Sequence, residues 1–336
     1  MPGDSLATVV VTFVVGAAAA IAASSLLVRR LERVGGSLGL SEALIGLATA
    51  LAADSPEITS AVTALHSGHR TVGIGVVLGS NLFNLAALLG IGAIVAGRIE
   101  LHRRVILFEG VVSLFVVAAT LVLVTGAAGP VPALVVALAG FLPYCVVIAL
   151  APRTIGRLPL PPRLRRFVVR AVYEEDVEVG PHPVQRSRPE ALDIALLAAA
   201  LLVVVVSSVA MEHAGVALGA RFGWAEIVVG GVLLAAVTSL PNAVGAVYLA
   251  RRGRGAAVLS EALNSNALNV VVGLLLPAIA VGVGAGGSGA FGIAVWYGLL
   301  GTAVLALAYG AAGLSRASGA LVVVAYAGFV VWLVLR

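Results

Sequence analysis

Two carboxylates lie within a long apolar segment of the chain, where a lipid environment would make them costly. Asp54 and Glu57 are three residues apart, so a helix would place them on one face. Pro56 lies between them, and a proline inside a helix removes one backbone hydrogen bond and frees a carbonyl group. Two carboxylates beside a freed carbonyl suit a hard cation, because calcium binds about 6–8 oxygen atoms.

A second segment repeats the first 185 residues later without a gap. Pro241 matches Pro56, and in both copies a serine follows the proline after 24 positions, at Ser80 and Ser265. Such proline-interrupted apolar repeats are typical of the substrate site of a transporter. The set offers oxygen ligands and neither Cys nor His, so it suits sodium, calcium, magnesium or manganese better than zinc or copper. The candidate ligands are Asp54, Ser55, Glu57, Ser80, Asn81 and Asn84 in the first copy, and Thr238, Ser239, Asn242, Ser265, Asn266 and Asn269 in the second.

The composition places these motifs in a membrane. Of the 336 residues, 60% are hydrophobic and 11% are charged, and the mean hydropathy is +1.10. A soluble protein would carry roughly 25% charged residues. Recurrent apolar runs of about 18 or more residues therefore predict an all-α integral membrane protein with about ten spans. The predicted spans are residues 6–28, 39–66, 71–97, 105–125, 130–151, 192–211, 223–250, 256–282, 289–313 and 318–335.

These spans divide into two halves of five. The N-terminal half (1–151) contains the first repeat at 39–97, and the C-terminal half (191–336) contains the second at 223–282. A polar connection, 152–190, separates them. All 21 basic residues are arginine, and most lie in alternate connections, including this one. Because arginine is enriched in cytoplasmic loops, we expect the connection in the cytoplasm, both termini outside it, and two inverted five-helix repeats.

The arginine distribution also bears on the partners of the chain. A net charge of +5 is compatible with a nucleic-acid partner, but arginines spread over short connections are typical of topology determinants. We therefore expect inorganic cations and the lipid bilayer as partners, and no nucleic acid. The expected location is the plasma membrane of a prokaryote, with several passes.

The polar motifs resemble those of a known family. GSNLFN at 79–84, with SPE at 55–57, closely resembles the α-repeat of the sodium/calcium exchanger superfamily of cation antiporters. TSLPN at 238–242 and NSNALN at 264–269 resemble the same repeat more loosely. The resemblance implies a ten-helix antiporter in which sodium and calcium, or related cations, share one central site. It also implies a ligand role for Glu57, Ser80, Asn84, Thr238, Ser239 and Ser265.

The chain departs from the family pattern in its acidic residues. Asn242 stands where the second repeat usually has Glu, and Glu261 is an additional acid, either buried or facing lipid headgroups. The first repeat is one residue shorter before its proline, so either Asp54 or Ser55 could take the first hydroxyl position. If Asp54 faces the site, two carboxylates favour a divalent ion. If it does not, Glu57 alone suits a monovalent cation or a proton.

The expected function is exchange of calcium, or a related divalent cation, for sodium or protons by alternating access. The transported ions are the expected ligands, and no cofactor is expected. The chain has no GxxxxGK[ST] motif for ATP, so an ion gradient would drive transport. The alternatives are a monovalent cation/proton exchanger and a transport-inactive cation-binding homologue. An intramembrane enzyme is disfavoured, because the chain has neither an HExxH metal motif nor a nucleophile arrangement.

Overall fold

The computed structural model describes residues 4–38, 42–150, 152–156, 159–179, 190–284 and 287–336, and most of them are helical. Within these residues, eight helices are long and apolar enough to cross a membrane. A ninth candidate span is the helix pair Glu226–Thr238 and Leu240–Arg251, which bends by 48°. The predicted second span corresponds to two shorter helices, Glu42–Ala53 and Ser55–His66.

The first half of the chain contains α1 (Leu6–Leu38), α2 (Glu42–Ala53), α3 (Ser55–His66), α4 (Arg70–Asn84), the π-helix π1 (Leu85–Ile91), α5 (Gly92–Ala96), β1 (Arg98–Glu100), α6 (Arg103–Val124) and α7 (Pro130–Ala149). The segment predicted as a polar connection holds α8 (Pro152–Ile155) and α9 (Pro162–Val179). The second half contains α10 (Ala191–Phe222), α11 (Glu226–Val228), π2 (Val229–Leu234), α12 (Ala235–Thr238), α13 (Leu240–Arg251), α14 (Gly255–Leu268), π3 (Asn269–Leu275), α15 (Leu276–Val281), α16 (Gly287–Ala311), β2 (Gly313–Ser315) and α17 (Arg316–Val334).

Both repeats contain a helix break at the same position. The break lies at Asp54 (φ −79°, ψ −2°) in the first repeat and at Ser239 (φ −84°, ψ 0°) in the second. In each case a proline two residues later occupies the first turn of the next helix, where its missing N–H is tolerated. The two breaks therefore place matching residues at matching points of the two repeats.

Two hydroxyl groups donate hydrogen bonds to the carbonyl group that Pro56 leaves without its N–H partner. The Ala52 carbonyl accepts a hydrogen bond from Ser55 Oγ (2.6 Å) and one from Ser24 Oγ of α1 (3.2 Å). Ser24 Oγ also lies 3.2 Å from the Ala53 carbonyl oxygen. The carbonyl that Pro56 frees at Ala52 thus has hydrogen-bond donors from both α1 and Ser55.

Glycines bring two central helices into backbone contact. A Cβ atom on Gly79 of α4 would lie 2.2 Å from the carbonyl oxygen of Gly231 in π2. A Cβ atom on Gly230 would lie 2.2 Å from the Val72 carbonyl oxygen. Neither distance leaves room for a side chain, so α4 and π2 approach closely only because these residues are glycine.

Two further contacts join the halves away from the repeats. Helices α1 and α10 pack together along their lengths, and Arg30 and Arg33 of α1 lie 2.5 and 3.1 Å from Asp193 of α10. Strands β1 and β2 pair antiparallel, with Ile99 opposite Leu314. The strand pair ties the end of the first repeat to the connection between the last two helices, and the α1–α10 contact joins the first helix of each half.

Candidate cation-binding site

The two acids of the first repeat lie around one amide of the second. Asp54 at the helix break and Glu57 in the first turn of α3 are both fully buried. Asn242, in the first turn of α13, donates from Nδ2 to Asp54 Oδ1 (2.7 Å) and to Glu57 Oε1 (3.5 Å). Ser265 Oγ donates to the same Asp54 oxygen. The structure therefore places Asp54 inside the site, whereas the Ser55 hydroxyl turns back to its own helix.

Four asparagines connect the repeats through reciprocal contacts. Asn81 Nδ2 donates to the Asn266 carbonyl (3.1 Å), and Asn266 Nδ2 donates to the Asn81 carbonyl (3.2 Å). Asn84 Nδ2 donates to Asn266 Oδ1 (3.1 Å), and its counterpart Asn269 donates to Asn81 Oδ1 (3.3 Å). Matching residues that exchange equivalent bonds mark a local two-fold axis. The site therefore lies where the two repeats meet on this axis.

Several buried oxygen atoms at this centre have no hydrogen-bond donor. Buried carboxylate oxygens without a donor are costly, and a bound cation can satisfy them. Amide and hydroxyl oxygens supplement the two carboxylates, as hard cations require. Among the described residues, the unpaired buried oxygens of the two repeats are Asp54 Oδ2, Glu57 Oε2, Asn84 Oδ1, Asn242 Oδ1, Glu261 Oε2, Asn269 Oδ1 and the Oγ atoms of Ser60, Ser80 and Ser239.

Some predicted ligands make other contacts instead. The Thr238 hydroxyl donates to the Leu234 carbonyl of its own helix (3.0 Å), and the Ser55 hydroxyl donates to Ala52. Asn81 and Asn266 use their amide groups to join the repeats. In these contacts the four side chains act as hydrogen-bond donors, and their role as ligands stays a prediction.

Two residues near the site were missing from the predicted set. Ser60 lies three residues after Glu57 on α3 and is fully buried, so helical spacing could have identified it. Tyr297 of α16 is almost fully buried, and its hydroxyl faces Asn81 and Asn266. Its sequence context is an ordinary apolar span, so no local pattern indicates it.

A cation at this centre has few acidic side chains within reach. In the described part of the chain, no group of three or more His, Cys, Asp or Glu side chains is spaced to hold a metal ion. A cation at this centre would thus depend on Asp54 and Glu57 for charge and on amide and hydroxyl oxygens for the rest. Glu261, the additional acid, has a buried Oε2 without a donor but does not join this pair in one cluster.

The two flanks of the site differ in how closely they pack. On one flank, α4 and π2 are in backbone contact through Gly79 and Gly231. On the matching flank, α2 packs against α14, and Asn264 of α14 occupies the position equivalent to Gly79. Asn264 carries a side chain, so the close backbone approach that Gly79 allows cannot form in the same way on this flank. The site is therefore sealed more tightly on the α4–π2 flank than on the α2–α14 flank.

Comparison with known proteins gives a consistent result. The family model described as "Sodium/calcium exchanger protein" matches residues 8–151 and 192–335. CaxA of Alkalimonas amylolytica, a protein named as an antiporter, is 36% identical over 87 residues. That alignment covers 26% of this chain and only 27% of the length of CaxA.

Three solved structures are similar over nearly the whole chain. The H+/Ca2+ exchanger CAX has a TM-score of 0.69 at 13% identity, with 97% of this chain and 86% of that chain covered. Native YfkE has a TM-score of 0.66 at 19% identity, with 96% and 92% covered. The sodium–calcium exchanger NCX_Mj has a TM-score of 0.60 at 20% identity, with 97% and 99% covered. At these identities the similarity establishes a common fold.

Proposed function

Since the chain belongs to the sodium/calcium exchanger protein family, we propose that it exchanges calcium, or a related divalent cation, for protons or sodium ions across a membrane. Members of this family are secondary transporters and not enzymes. CAX is named as an exchanger of protons and calcium, and NCX_Mj as one of sodium and calcium. The proposed counter-ions of this chain are taken from these two neighbours.

The observation that carries this proposal is the burial of two carboxylates at one point. Asp54 and Glu57 are fully buried, and each has one oxygen without a donor. The bonds described for their other oxygens come from neutral groups, the Asn242 amide and the Ser265 hydroxyl. The two buried negative charges therefore lack a nearby positive charge, and one divalent cation would neutralise both.

This charge balance explains why transport would be an exchange. Removing calcium would leave two uncompensated carboxylates in a dry site, at a cost of several kcal/mol per charge. Two protons or sodium ions on Asp54 and Glu57 would restore neutrality. The protein would therefore switch the side to which the site opens only when calcium, or the ions exchanged for it, are bound to the two carboxylates. Asn242 contributes by contacting both carboxylates and offering Oδ1 to the ion.

The unequal flanks support access from alternate sides. In a carrier built of two related repeats, one flank is sealed while the other admits ions. Here the α4–π2 flank is the sealed one, and the arginine distribution assigns it to the outer side. In the proposed cycle, α1 and α10 move together relative to the repeats. This movement opens the flank that was sealed and seals the flank that was open.

A flux measurement tests the proposal. Purified protein in lipid vesicles should take up labelled calcium when a proton or sodium gradient is imposed. Glu57→Gln and Asp54→Asn should each reduce uptake by about two orders of magnitude, because each leaves one carboxylate fewer for the divalent ion. Glu32→Gln, which removes an exposed acid on α1, is the matched control and should leave uptake unchanged.

The alternatives give different outcomes in the same experiment. The contact of Asn242 with both carboxylates also fits a cation-binding homologue that does not transport, since the amide can hold the pair together. Calcium binding without flux would favour that homologue. Proton-coupled flux of a monovalent cation, with no calcium flux, would favour a monovalent exchanger.

A further inference from the structure

We propose that Glu261 and Asp54 form a second cation-binding position, one helical turn from the central site towards the turn between α13 and α14. The proposal rests on the proposed exchange function, because it assigns a step of ion passage to a particular acid. It adds a position that lies on one flank of the site only.

The packing of α13 against α14 defines this position. Asn242 of α13 donates to Ser265 of α14 at 3.1 Å. One turn further on, Gly245 faces Glu261, and a Cβ atom on Gly245 would lie 3.1 Å from Glu261 Oε1. The Glu261 carboxylate thus occupies space that a glycine leaves free. It lies on the same face of α14 as Ser265, four residues earlier.

The electrostatics of the two acids require a positive partner. Glu261 Oε2 and Asp54 Oδ2 are both buried and both lack a hydrogen-bond donor. Ser265, which donates to Asp54, lies one helical turn after Glu261 on α14, so both carboxylates lie along the same face of this helix. Two like charges at low dielectric repel strongly, and a cation between them removes the repulsion. Asp54 is fully buried and contacts Ser265, so it connects this position to the central site.

The position is distinct from the central one. Asp54, Glu57 and Glu261 do not form a group of three acids spaced for one metal ion, as noted for the described residues. Glu261 is therefore not a third acid ligand of a central ion. Instead, Asp54 would be shared, and a cation held by Glu261 would move to the Asp54–Glu57 pair over one helical turn.

The sequence confines this position to one flank. The residues that match Gly245 and Glu261 in the first repeat are Ser60 and Val76. Val76 has no charge, so the α3–α4 flank lacks an equivalent acid. Glu261 should therefore affect cations that arrive from the side of the α13–α14 turn and not those that arrive from the opposite side.

The test is a sided measurement of calcium dependence in vesicles of known orientation. In Glu261→Gln, the half-saturating calcium concentration should rise about tenfold at the face that carries the α13–α14 turn, because a nearby charge is lost. At the opposite face it should not change. Gly245→Ala, which keeps the charge but crowds the carboxylate, should raise the same value at the same face. Glu32→Gln is again the control.

The outcomes separate this inference from the proposed function. An equal effect of Glu261→Gln at both faces, or no effect at either, would refute the second position while wild-type exchange continues. If Glu261→Gln does not assemble, Gly245→Ala decides the question by the same criterion. Wild-type protein that exchanges no cation would instead refute the proposed function itself, and the second position with it.

Discussion

At the scale of single residues, Asn242 controls the charge of the site. Its amide donates to Asp54 and Glu57 at 2.7 and 3.5 Å, so it lowers the repulsion between them without adding a charge. A carboxylate at this position would place a third acid against the pair. Its amide oxygen, which has no donor, remains available to a cation. With an amide at position 242, the central pair consists of two carboxylates and not three.

We expect Asn242→Glu to make the protein depend on calcium for stability. Without divalent cations, the added carboxylate should lower the free energy of unfolding by about 2 kcal/mol, since it is buried against two like charges. Calcium should restore more stability to the variant than to the wild type. Thermal unfolding with and without calcium measures both effects.

The control for this variant places the same charge change elsewhere. Asn264 donates to the Tyr144 hydroxyl at 2.9 Å, outside the carboxylate pair. Asn264→Asp should therefore show no increased response to calcium. An Asn242→Glu protein with the calcium response of the wild type would contradict the two-carboxylate site.

The sequence predicted much of the site at this scale, but not the orientation of each side chain. The repeat spacing identified Glu57, Asn242 and their partners, because an ungapped repeat brings matching residues to one axis. It could not decide between Asp54 and Ser55, since adjacent helical residues point about 100° apart. In the structure Asp54 contacts Asn242 and Ser265, whereas the Ser55 hydroxyl donates to the Ala52 carbonyl. Tyr297 was missed because it reaches the site from a distant helix.

At the scale of elements, the glycine contact between α4 and π2 sets the spacing of the repeats. The contact brings backbone against backbone, so neither side can yield by rotating a side chain. Gly79 also directly precedes Ser80, whose buried hydroxyl belongs to the site. The position of the oxygen atoms thus depends on how closely these two helices approach.

Gly79→Ala should separate α4 from π2 and destabilise the protein. The new Cβ would lie 2.2 Å from the Gly231 oxygen, and overpacking of this kind costs about 3 kcal/mol. Thermal unfolding of purified protein measures the loss. Gly129→Ala is the control, because a Cβ there would meet no atom within 4 Å. Equal stability of the two variants would show that the backbone contact is not limiting.

Long apolar helices were predictable at this scale, and short irregular elements were not. The apolar runs identified the spans, because a bilayer demands about 20 such residues. The β1–β2 pair was missed, since it joins three-residue strands far apart in sequence. The helix α9 was missed within the polar connection. It packs Val168 and Val172 against Ile155, a pattern too short to distinguish from a solvated segment.

At the scale of the whole molecule, the two repeats are symmetric at the axis and different at their flanks. The asparagine contacts are reciprocal, whereas the α4–π2 and α2–α14 contacts are not. Helices α1 and α10 lie outside the repeats as a pair, held at one end by Asp193. A pair joined in this way can move as a unit past the two flanks.

Asp193→Asn should slow exchange without changing cation affinity. Asp193 is mostly buried and binds Arg30 and Arg33, so its loss should loosen one end of the α1–α10 pair and cost about 2 kcal/mol of stability. The maximal flux should fall while the half-saturating calcium concentration stays constant. Glu190→Gln, an exposed acid at the start of the same helix, is the control. A change in affinity alone would contradict this role.

The pairing of Asp54 with Ser239 and of Glu57 with Asn242 has a consequence for the ancestry of the chain. One half supplies all of the negative charge at the axis, and the other supplies neutral groups. Two copies of the first half would crowd twice as many acids together, and two copies of the second would offer none. At the axis the two halves are therefore complementary in charge, and the balance of two carboxylates depends on having one copy of each.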